Sequence, residues 1–287
     1  MRQARAQSAI EYLMTYGWAI LVIAVVLAVM FSLGLFNANT YGGRAHAGSC
    51  TIQRPYGPGT TQLISLAGVC NGQVPQFVAY FPGSVTSYIG GISDTDLPSS
   101  NSPVSMFGWV KTSNTVGFVA QYGTNSVTTS QNWLMESYSS FCVSNAGDDV
   151  CTGKSISDNT WHFVGFTYAG GTAVSAYVDG TQYPLTLGAT PAVNTGAGSS
   201  MFIGYGCCSQ PFAGQISNIQ IYGTALSAND VKALYLEGIG GTPINLQSLL
   251  GWWSLNGDAV DYSGNANNGA TNNVIWTSQW TNGYTQP

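Results

Sequence analysis

The feature that most constrains the fold of this chain is an uncharged apolar run near its N-terminus, LMTYGWAILVIAVVLAVMFSLGLF, at residues 13–36. A helix of this length crosses the hydrocarbon core of a bilayer, which is roughly 30 Å thick. Arg2 and Arg5 precede the run, and the positive-inside rule keeps them in the cytoplasm. The sequence therefore predicts one transmembrane helix, with everything after Asn37 outside the cell.

An ordinary secretory signal is the alternative, because AHA at residues 45–47 resembles a small-residue cleavage site. Two lengths argue against it. The apolar run is much longer than the core of a signal peptide, which has about 7 to 15 residues, and the AHA site lies too far beyond its end.

Composition excludes other classes of protein. Only 7% of the residues are charged, against about a quarter in soluble domains, and Gly, Ser, Thr, Asn and Tyr take the polar positions. Frequent turn signals with this mixture are typical of an all-β surface protein. The net charge is -5, and seven scattered Lys and Arg residues do not neutralise a row of phosphates. We therefore expect no nucleic-acid partner.

The cysteines indicate an oxidising compartment. No C-x-x-C occurs, and neither His46 nor His162 stands at ligand spacing from a cysteine, which favours disulfides over zinc. The neighbours Cys207 and Cys208 can close a strained vicinal ring or reach separate partners. The six cysteines are Cys50, Cys70, Cys142, Cys151, Cys207 and Cys208.

Two pairs of cysteines flank predicted hairpins. Cys142 and Cys151 border VSNAGDDV, which predicts a turn that brings the two residues face to face. Cys50 and Cys70 bracket TIQRPYGPGTTQLISLAGV, which predicts a second hairpin. Sequence alone does not decide the pairing.

Beyond residue 40 the chain is a series of short β-rich runs, of which VSMFGWVKT, WHFVGFTY, AVSAYVDG and QISNIQIYG are the clearest. Imperfect alternation in the last run predicts a bulge. The exception is LSANDVKALYLEG, where Ser227 and Asp230 form a capping box, Val231 and Leu234 share a helical face, and Gly238 can end the helix. The sequence predicts a mainly β domain with one short helix.

The N-terminal stretch RAQSAIEYLMTYGWAILVIAVV strongly resembles the class III signal peptide of archaeal type IV pilins. The resemblance implies cleavage by a membrane prepilin peptidase between Ala6 and Gln7. Cleavage creates an amine beside an apolar helix, and Glu11 can pair with that charge when helices pack into a filament. The alternative is that Glu11 only marks the interfacial end of the helix.

The outer segment resembles the LamG-like jelly roll, or concanavalin A-like lectin/glucanase fold. The family's WHHVAVTYDG...LYVDG appears as WHFVGFTYAGGTAVSAYVDG, and its FNGTIDEVRIYNRALSADEIKALY as FAGQISNIQIYGTALSANDVKALY. The resemblance spans roughly residues 76–276. Ser217 and Asn218 replace the family's acidic pair and Gln220 its arginine, which puts metal binding in doubt more than folding.

GWWSLNGDAVDYSGNANNGA, at residues 251–270, resembles the first strand and loop of that family, although here it comes near the end of the chain. We therefore predict a circularly permuted jelly roll, completed by residues 245–287 of its own chain. Strand alternation puts Trp253 on the core face, leaving Trp252 to pack under the helix or face a partner. The expected organisation is a prepeptide at 1–6, a pilin-type helix and joint at 7–40, a disulfide-bracketed hairpin at 41–75 and the jelly roll at 76–287.

Hard oxygen ligands in the loop NGDAVDYSGNANNG indicate a candidate calcium site at Asp258, Asp261 and Asn265, since several LamG-like domains hold calcium there. The alternative is a turn held by its own side-chain hydrogen bonds.

Catalysis is not expected. Glycosidases on this fold need paired carboxylates, and Glu136 stands isolated while Glu237 lies on the helix. Asp148 and Asp149 fall in a hairpin turn as ordinary solvated charges, and His162 is predicted to be a strand residue.

These features favour a pilin-like cell-surface subunit, with a filament core built from N-terminal helices and a lectin-like outer domain for adhesion or glycan binding. The alternatives are a monomeric membrane-anchored carbohydrate-binding protein and, below it, a glycosidase. The expected partners are the membrane, further copies of the chain and glycans. Exposed aromatic residues are the candidate sugar platforms. These are Trp133, Tyr138, Tyr205 and Trp252.

Overall fold

The computed structural model describes residues 16, 18–28, 75–124, 131–145, 147–196, 199–206 and 210–287. Residues 18–28 are helical and their side chains are exposed. Among the described residues, no helix combines the length and the apolar character that a membrane crossing requires. Most of the predicted span at 13–36 lies outside this part of the chain.

Several other predictions also fall on residues that are not described. They concern the processing site at Ala6 and Gln7, the assembly residue Glu11, the hairpin with Cys50 and Cys70, and the neighbours Cys207 and Cys208. These remain predictions.

Residues 75–287 form a β-sandwich of two antiparallel sheets. The first ten strands are β1 (Val78–Pro82), β2 (Tyr88–Ile92), β3 (Val104–Lys111), β4 (Val116–Thr124), β5 (Gln131–Tyr138), β6 (Phe141–Asn145), β7 (Asp148–Cys151), β8 (Trp161–Tyr168), β9 (Ala173–Val178) and β10 (Thr181–Thr186). The others are β11 (Met201–Ile203), β12 (Ala213–Tyr222), β13 (Leu249–Trp253), β14 (Ala270–Asn272) and β15 (Ile275–Thr277).

The first sheet has the order β10-β9-β8-β3-β12-β1-β15, and β13 also pairs with β12. The second sheet has the order β14-β2-β11-β4-β5-β6-β7. The main core lies between them, where alternate residues from both sheets meet, among them Trp133, Phe166 and Trp253. This arrangement confirms the predicted mainly β jelly-roll sandwich.

The first sheet is buried on its outer face as well. Strand β3 is buried along its whole length, because Met106 and Val110 face the main core while Phe107 and Trp109 face a second apolar cluster. That cluster lies under the helix at Ala228–Glu237 and the C-terminal segment. It also contains Val78, Trp161, Phe163, Tyr177, Tyr222, Leu226, Val231, Leu234, Ile239, Leu249, Trp252 and Trp280.

The helix α1 (Ala228–Glu237) forms as its sequence predicts. The Ser227 side chain accepts from the Asp230 N–H, and the Asp230 carboxylate accepts from the Ser227 N–H, which completes the capping box. Val231 and Leu234 are buried. Gly238 caps the end with a φ of 80°, which favours glycine.

Residues 245–287 join the sandwich of their own chain. Strand β13 pairs with β12, β14 with β2 and β15 with β1. Trp253 enters the main core, as alternation predicts, and Trp252 packs in the cluster under α1. Trp280 was not singled out from the sequence, yet its indole N–H donates to the Pro75 carbonyl at 3.0 Å and anchors the segment.

The predicted bulge lies in β12. The register of β12 against β3 shifts between Ser217 and Gln220, where Asn218 has a φ of 55°. The Asn218 amide oxygen accepts from the Trp252 indole and from the Gln220 amide. Residues that replace the family's charged positions thus form a neutral buried network, which avoids the cost of burying unpaired charge.

Strands β6 and β7 form the predicted hairpin, with Cys142 directly opposite Cys151 and a disulfide between them. Replacing both residues with Ala is expected to lower the free energy of unfolding by about 2 to 3 kcal/mol, because the short crosslink restricts the unfolded chain. Urea unfolding monitored by tryptophan fluorescence measures the change. Reducing agent should destabilise the wild type more than the double variant, whereas equal unfolding midpoints of the two oxidised proteins would contradict the prediction.

Candidate functional site

Two of the four predicted sugar platforms are buried, which corrects the prediction for them. Trp133 is only 1% exposed, and its ring packs against Phe166 and Tyr168 between the sheets. Trp252 is 2% exposed and donates its indole N–H to Asn218 at 2.8 Å. Strand alternation and the position of α1 turn both rings inward, so neither can stack on a ligand.

The other two predicted platforms reach the surface. Tyr138 is 54% exposed at the end of β5. Tyr205 is half-buried and contacts the rings of Tyr88 and Phe202, with centroids 5.7 and 6.1 Å away. Among the described ring contacts none joins Tyr138 to Tyr205, so the two do not form one platform.

The loop after β13 uses its polar groups internally. Asp258 accepts from the Val260 N–H and the Tyr262 hydroxyl, and the Asn265 amide donates to a backbone carbonyl of β13. Asp261 is 2% exposed, and its four donors are the N–H groups of Trp252, Ser263 and Asn267 and the Ser263 hydroxyl. Carboxylates that face N–H donors do not fit a cation, so the hydrogen bonds favour the self-bonded turn. Calcium here stays a prediction.

Glu136 is not isolated, which corrects the sequence interpretation. Its side chain on β5 is 4% exposed and lies within hydrogen-bonding reach of Asp149 on β7. Burial raises the pKa of Glu136 to about 8, and the charge and hydrogen bond of Asp149 act in the same direction. Glu136 therefore keeps its proton at neutral pH.

This carboxyl pair does not have glycosidase geometry. Retaining enzymes hold their two carboxyl groups about 5 to 5.5 Å apart and inverting enzymes further, whereas Glu136 and Asp149 are hydrogen-bonded. The neighbouring Asp148 is half-buried and accepts from the Gly188 N–H, so it is not a freely solvated charge. The described carboxylates thus give no support to hydrolysis.

His162 lies in strand β8, as expected, and is held by two carboxylates. Its Nδ1 lies 2.8 Å from Asp179 and its Nε2 3.0 Å from Asp158. Burial alone would lower the pKa of His162, but the hydrogen bonds and charges of Asp179 and Asp158 outweigh it and raise the pKa. Burial alone would raise the pKa of Asp158, but hydrogen bonds from Thr160 and His162 lower it to about 2. His162 thus joins the turn between β9 and β10, through Asp179, to the loop before β8, through Asp158.

The raised pKa of His162 predicts stability that falls with rising pH. A group with a folded pKa above its unfolded value stabilises fully below the unfolded pKa, and this contribution is lost as pH rises through the folded pKa. The raised pKa of Glu136 also makes stability fall as the pH rises. The effect of His162 is therefore measured between two proteins that both carry Glu136→Gln. We expect His162→Gln to reduce the remaining fall in the free energy of unfolding above about pH 6.5. Urea unfolding at each pH measures this free energy. An unchanged slope would contradict the assignment.

An open polar cavity of about 360 Å³ lies at one end of the first sheet. Tyr80, Gln215 and Lys111 stand in register across β1, β12 and β3 and form its floor. The remaining lining residues are Thr112, Ser113, Asn114, Asn159, Ala213 and Gly214. The lining thus combines hydroxyl and amide groups with one partly exposed aromatic ring, a mixture suited to a small polar ligand.

Backbone contacts fix the shape of the cavity. A Cβ at Gly214 would lie 2.2 Å from the Lys111 carbonyl oxygen, so only glycine allows β12 to approach β3 there. Thr112 donates its hydroxyl to the Ala213 carbonyl at 2.7 Å, and the Asn159 N–H donates to the Thr112 carbonyl at 2.8 Å. The Gln215 amide oxygen is buried and has no partner among the described residues.

Lys111 closes one side of the cavity and is tied to the C-terminal segment. Its ammonium group donates to the Asn282 carbonyl, and burial lowers its pKa. Sequence reasoning missed this site, because its residues come from four distant segments that only the sheet register brings together. Nothing in the spacing of Tyr80, Lys111 and Gln215 signals their contact.

The fold and this cavity define an antiparallel jelly roll with an open polar site at a sheet end. A sequence profile of the concanavalin A-like lectin/glucanases superfamily matches residues 84–232, about half of the chain. The chain belongs to this superfamily. No curated protein matches the sequence.

Solved structures resemble this chain at low identity. A protein of Bacteroides ovatus, provisionally described as carbohydrate binding, is 18% identical, with a TM-score of 0.52 over 71% of this chain and 60% of that one. The present chain thus spans about three-fifths of that protein. A pentraxin of Limulus polyphemus is 13% identical over 59% and 85% of the two chains, with a TM-score of 0.46. A sialidase carbohydrate-binding module of Ruminococcus gnavus, bound to sialyllactose, is 13% identical over 54% and 96%, with a TM-score of 0.41.

Proposed function

We propose that this chain is a cell-surface protein whose β-sandwich binds a glycan without hydrolysing it. The observation that carries the proposal is the open polar cavity at Tyr80, Lys111 and Gln215. Hydroxyl and amide groups match the hydrogen-bonding groups of a sugar, and an aromatic ring can cover its apolar face. The Bacteroides protein is provisionally described as carbohydrate binding, which supports this class of ligand.

The charges around the cavity favour a neutral saccharide. Lys111, Lys154 and Lys232 are the only basic residues, apart from histidine, from residue 75 to the end of the sequence. The one lysine at the cavity already donates to the Asn282 carbonyl. A carboxylated or sulfated sugar therefore finds little free positive charge, in a protein whose net charge is -5.

A glycan array probed with the full-length protein in detergent tests the proposal. We expect binding to a neutral oligosaccharide, weakened at least about tenfold by Gln215→Ala or Tyr80→Ala, the usual consequence of losing a buried hydrogen bond or a stacking ring. Tyr138→Ala is the matched control, because Tyr138 is exposed but does not line the cavity. Full binding by both cavity variants, or loss of binding by Tyr138→Ala, would show that the glycan binds outside the cavity.

We further propose that a pilin-type N-terminus holds this domain at the cell surface, in the membrane or in a filament. The sequence from Gln7 to Glu11 supports this role. The mature protein is expected to begin at Gln7, and Glu11→Ala is expected to be processed but to assemble poorly, because the amine loses its counter-charge. Mass spectrometry of the native N-terminus and microscopy of surface filaments measure both. A mature N-terminus at Gly48 would refute the proposal.

A further inference from the structure

Buried polar atoms without partners are concentrated on one face of the sandwich. Seven buried side-chain N and O atoms in the described part of the chain lack a hydrogen-bond partner, and five of them belong to Gln121, Asn132 and Glu136. Trp133 and Met135 face the main core, so their neighbours on β5, including Glu136, point to the outer face of the second sheet. Such atoms are costly to bury and call for a ligand.

The register places two carboxyl groups, on β5 and β7, and an amide, on β4, on this face. Glu136 stands opposite Cys142, which stands opposite Cys151, and Asp149 lies two residues before Cys151 on the same face. Gln121 is paired with Leu134, so it is diagonal to Glu136 and within side-chain reach. The Cys142–Cys151 disulfide holds the edge strand β7 in this register.

Three side-chain atoms of this group lack a partner. The Glu136 Oε1 atom is buried without one, as are both atoms of the Gln121 amide. Among the described residues, the ion pairs involve only His162 with Asp158 and Asp179, so no lysine neutralises the carboxyl pair. The site is therefore short of positive charge.

We propose that Glu136 and Asp149, on the face that also carries the unpartnered Gln121 amide, bind a divalent cation of the calcium type. Carboxylate and amide oxygens are the ligands that hard cations take in proteins. Asp149 is exposed and gives the ion a path from solvent, while the buried Glu136 supplies the inner ligand. This site differs from the loop at Asp258 and Asp261, where the carboxylates face N–H donors.

Calorimetric titration of the metal-free, full-length protein in detergent with calcium chloride tests the site. We expect saturable binding, and a melting temperature that rises when calcium is added. Glu136→Gln and Asp149→Asn should each weaken binding at least tenfold and remove the thermal shift. Asp258→Asn, which alters the loop site, is the matched control and should bind like the wild type.

Two results would overturn the proposal. One is the absence of binding and of a thermal shift up to about 10 mM calcium, above the range in which extracellular calcium modules bind. The other is binding that Asp258→Asn removes and Glu136→Gln preserves. Because Glu136→Gln keeps the side-chain shape, near-ultraviolet circular dichroism should confirm its fold, and the exposed Asp149→Asn supplies the answer if Glu136→Gln does not fold.

Discussion

Removal of residues 245–287 is expected to abolish cooperative unfolding of the sandwich. The deletion takes away three strands that pair with β12, β2 and β1, and with them the buried rings of Trp252, Trp253 and Trp280. Both apolar clusters would be left open. At about 25 cal/mol per Å² of apolar surface, the free energy lost with this burial exceeds the 5 to 15 kcal/mol by which a domain is usually stable. Differential scanning calorimetry should show no cooperative transition in the truncated protein.

The same deletion tests whether the segment acts within its own chain. The chain from Ser49 to Pro287, made under oxidising conditions, is expected to be a monomer in dilute solution, because β13 pairs with β12 of the same molecule. The connection from Gly238 to β13 is short and glycine-rich, so closing it costs only a few kcal/mol. Obligate oligomers that dissociate on truncation and re-form when the segment is supplied as a peptide would show exchange between chains.

Trp253→Ala is expected to lower the free energy of unfolding by about 3 to 5 kcal/mol, the range for removing a fully buried large aromatic side chain. Trp253 has no exposed surface, and its indole N–H donates to the Asn267 carbonyl at 2.9 Å. A Cβ at Gly251 would lie 2.3 Å from its ring, so the surroundings are closely packed and fill the void poorly.

Urea unfolding of Trp253→Ala against the wild type measures this loss. Tyr138→Ala is the control, because a ring that is 54% exposed should cost far less. A change below about 1 kcal/mol in Trp253→Ala would mean that the C-terminal strand does not contribute to the core as its burial indicates.

Local features of the fold were predictable because their interactions connect near neighbours. The capping box at Ser227 and Asp230 lies within four residues, and the hairpin that pairs Cys142 with Cys151 spans nine positions. The clearest strands, such as β3 and β8, also lie where their apolar runs indicate. In each case the sequence distance is short, so pattern and geometry give the same answer.

Candidate sites were predicted less well. Trp133 looked like a sugar platform from residue type alone, but alternation along β5 turns it into the core. Glu136 looked isolated because Asp149, its partner, is reached only by crossing β6. Residue type thus indicates which chemistry is available, and the neighbours decide whether it is used.

By itself, the sequence determined the jelly-roll class, the helix α1, the hairpin that brings Cys142 opposite Cys151 and the inward direction of Trp253. Only the tertiary structure decided where the polar cavity lies and which carboxyl groups meet. The physical reason is strand order. Tyr80, Lys111 and Gln215 are neighbours because β12 lies between β1 and β3, a pairing set by how both sheets bury their faces together and not by any short stretch of chain.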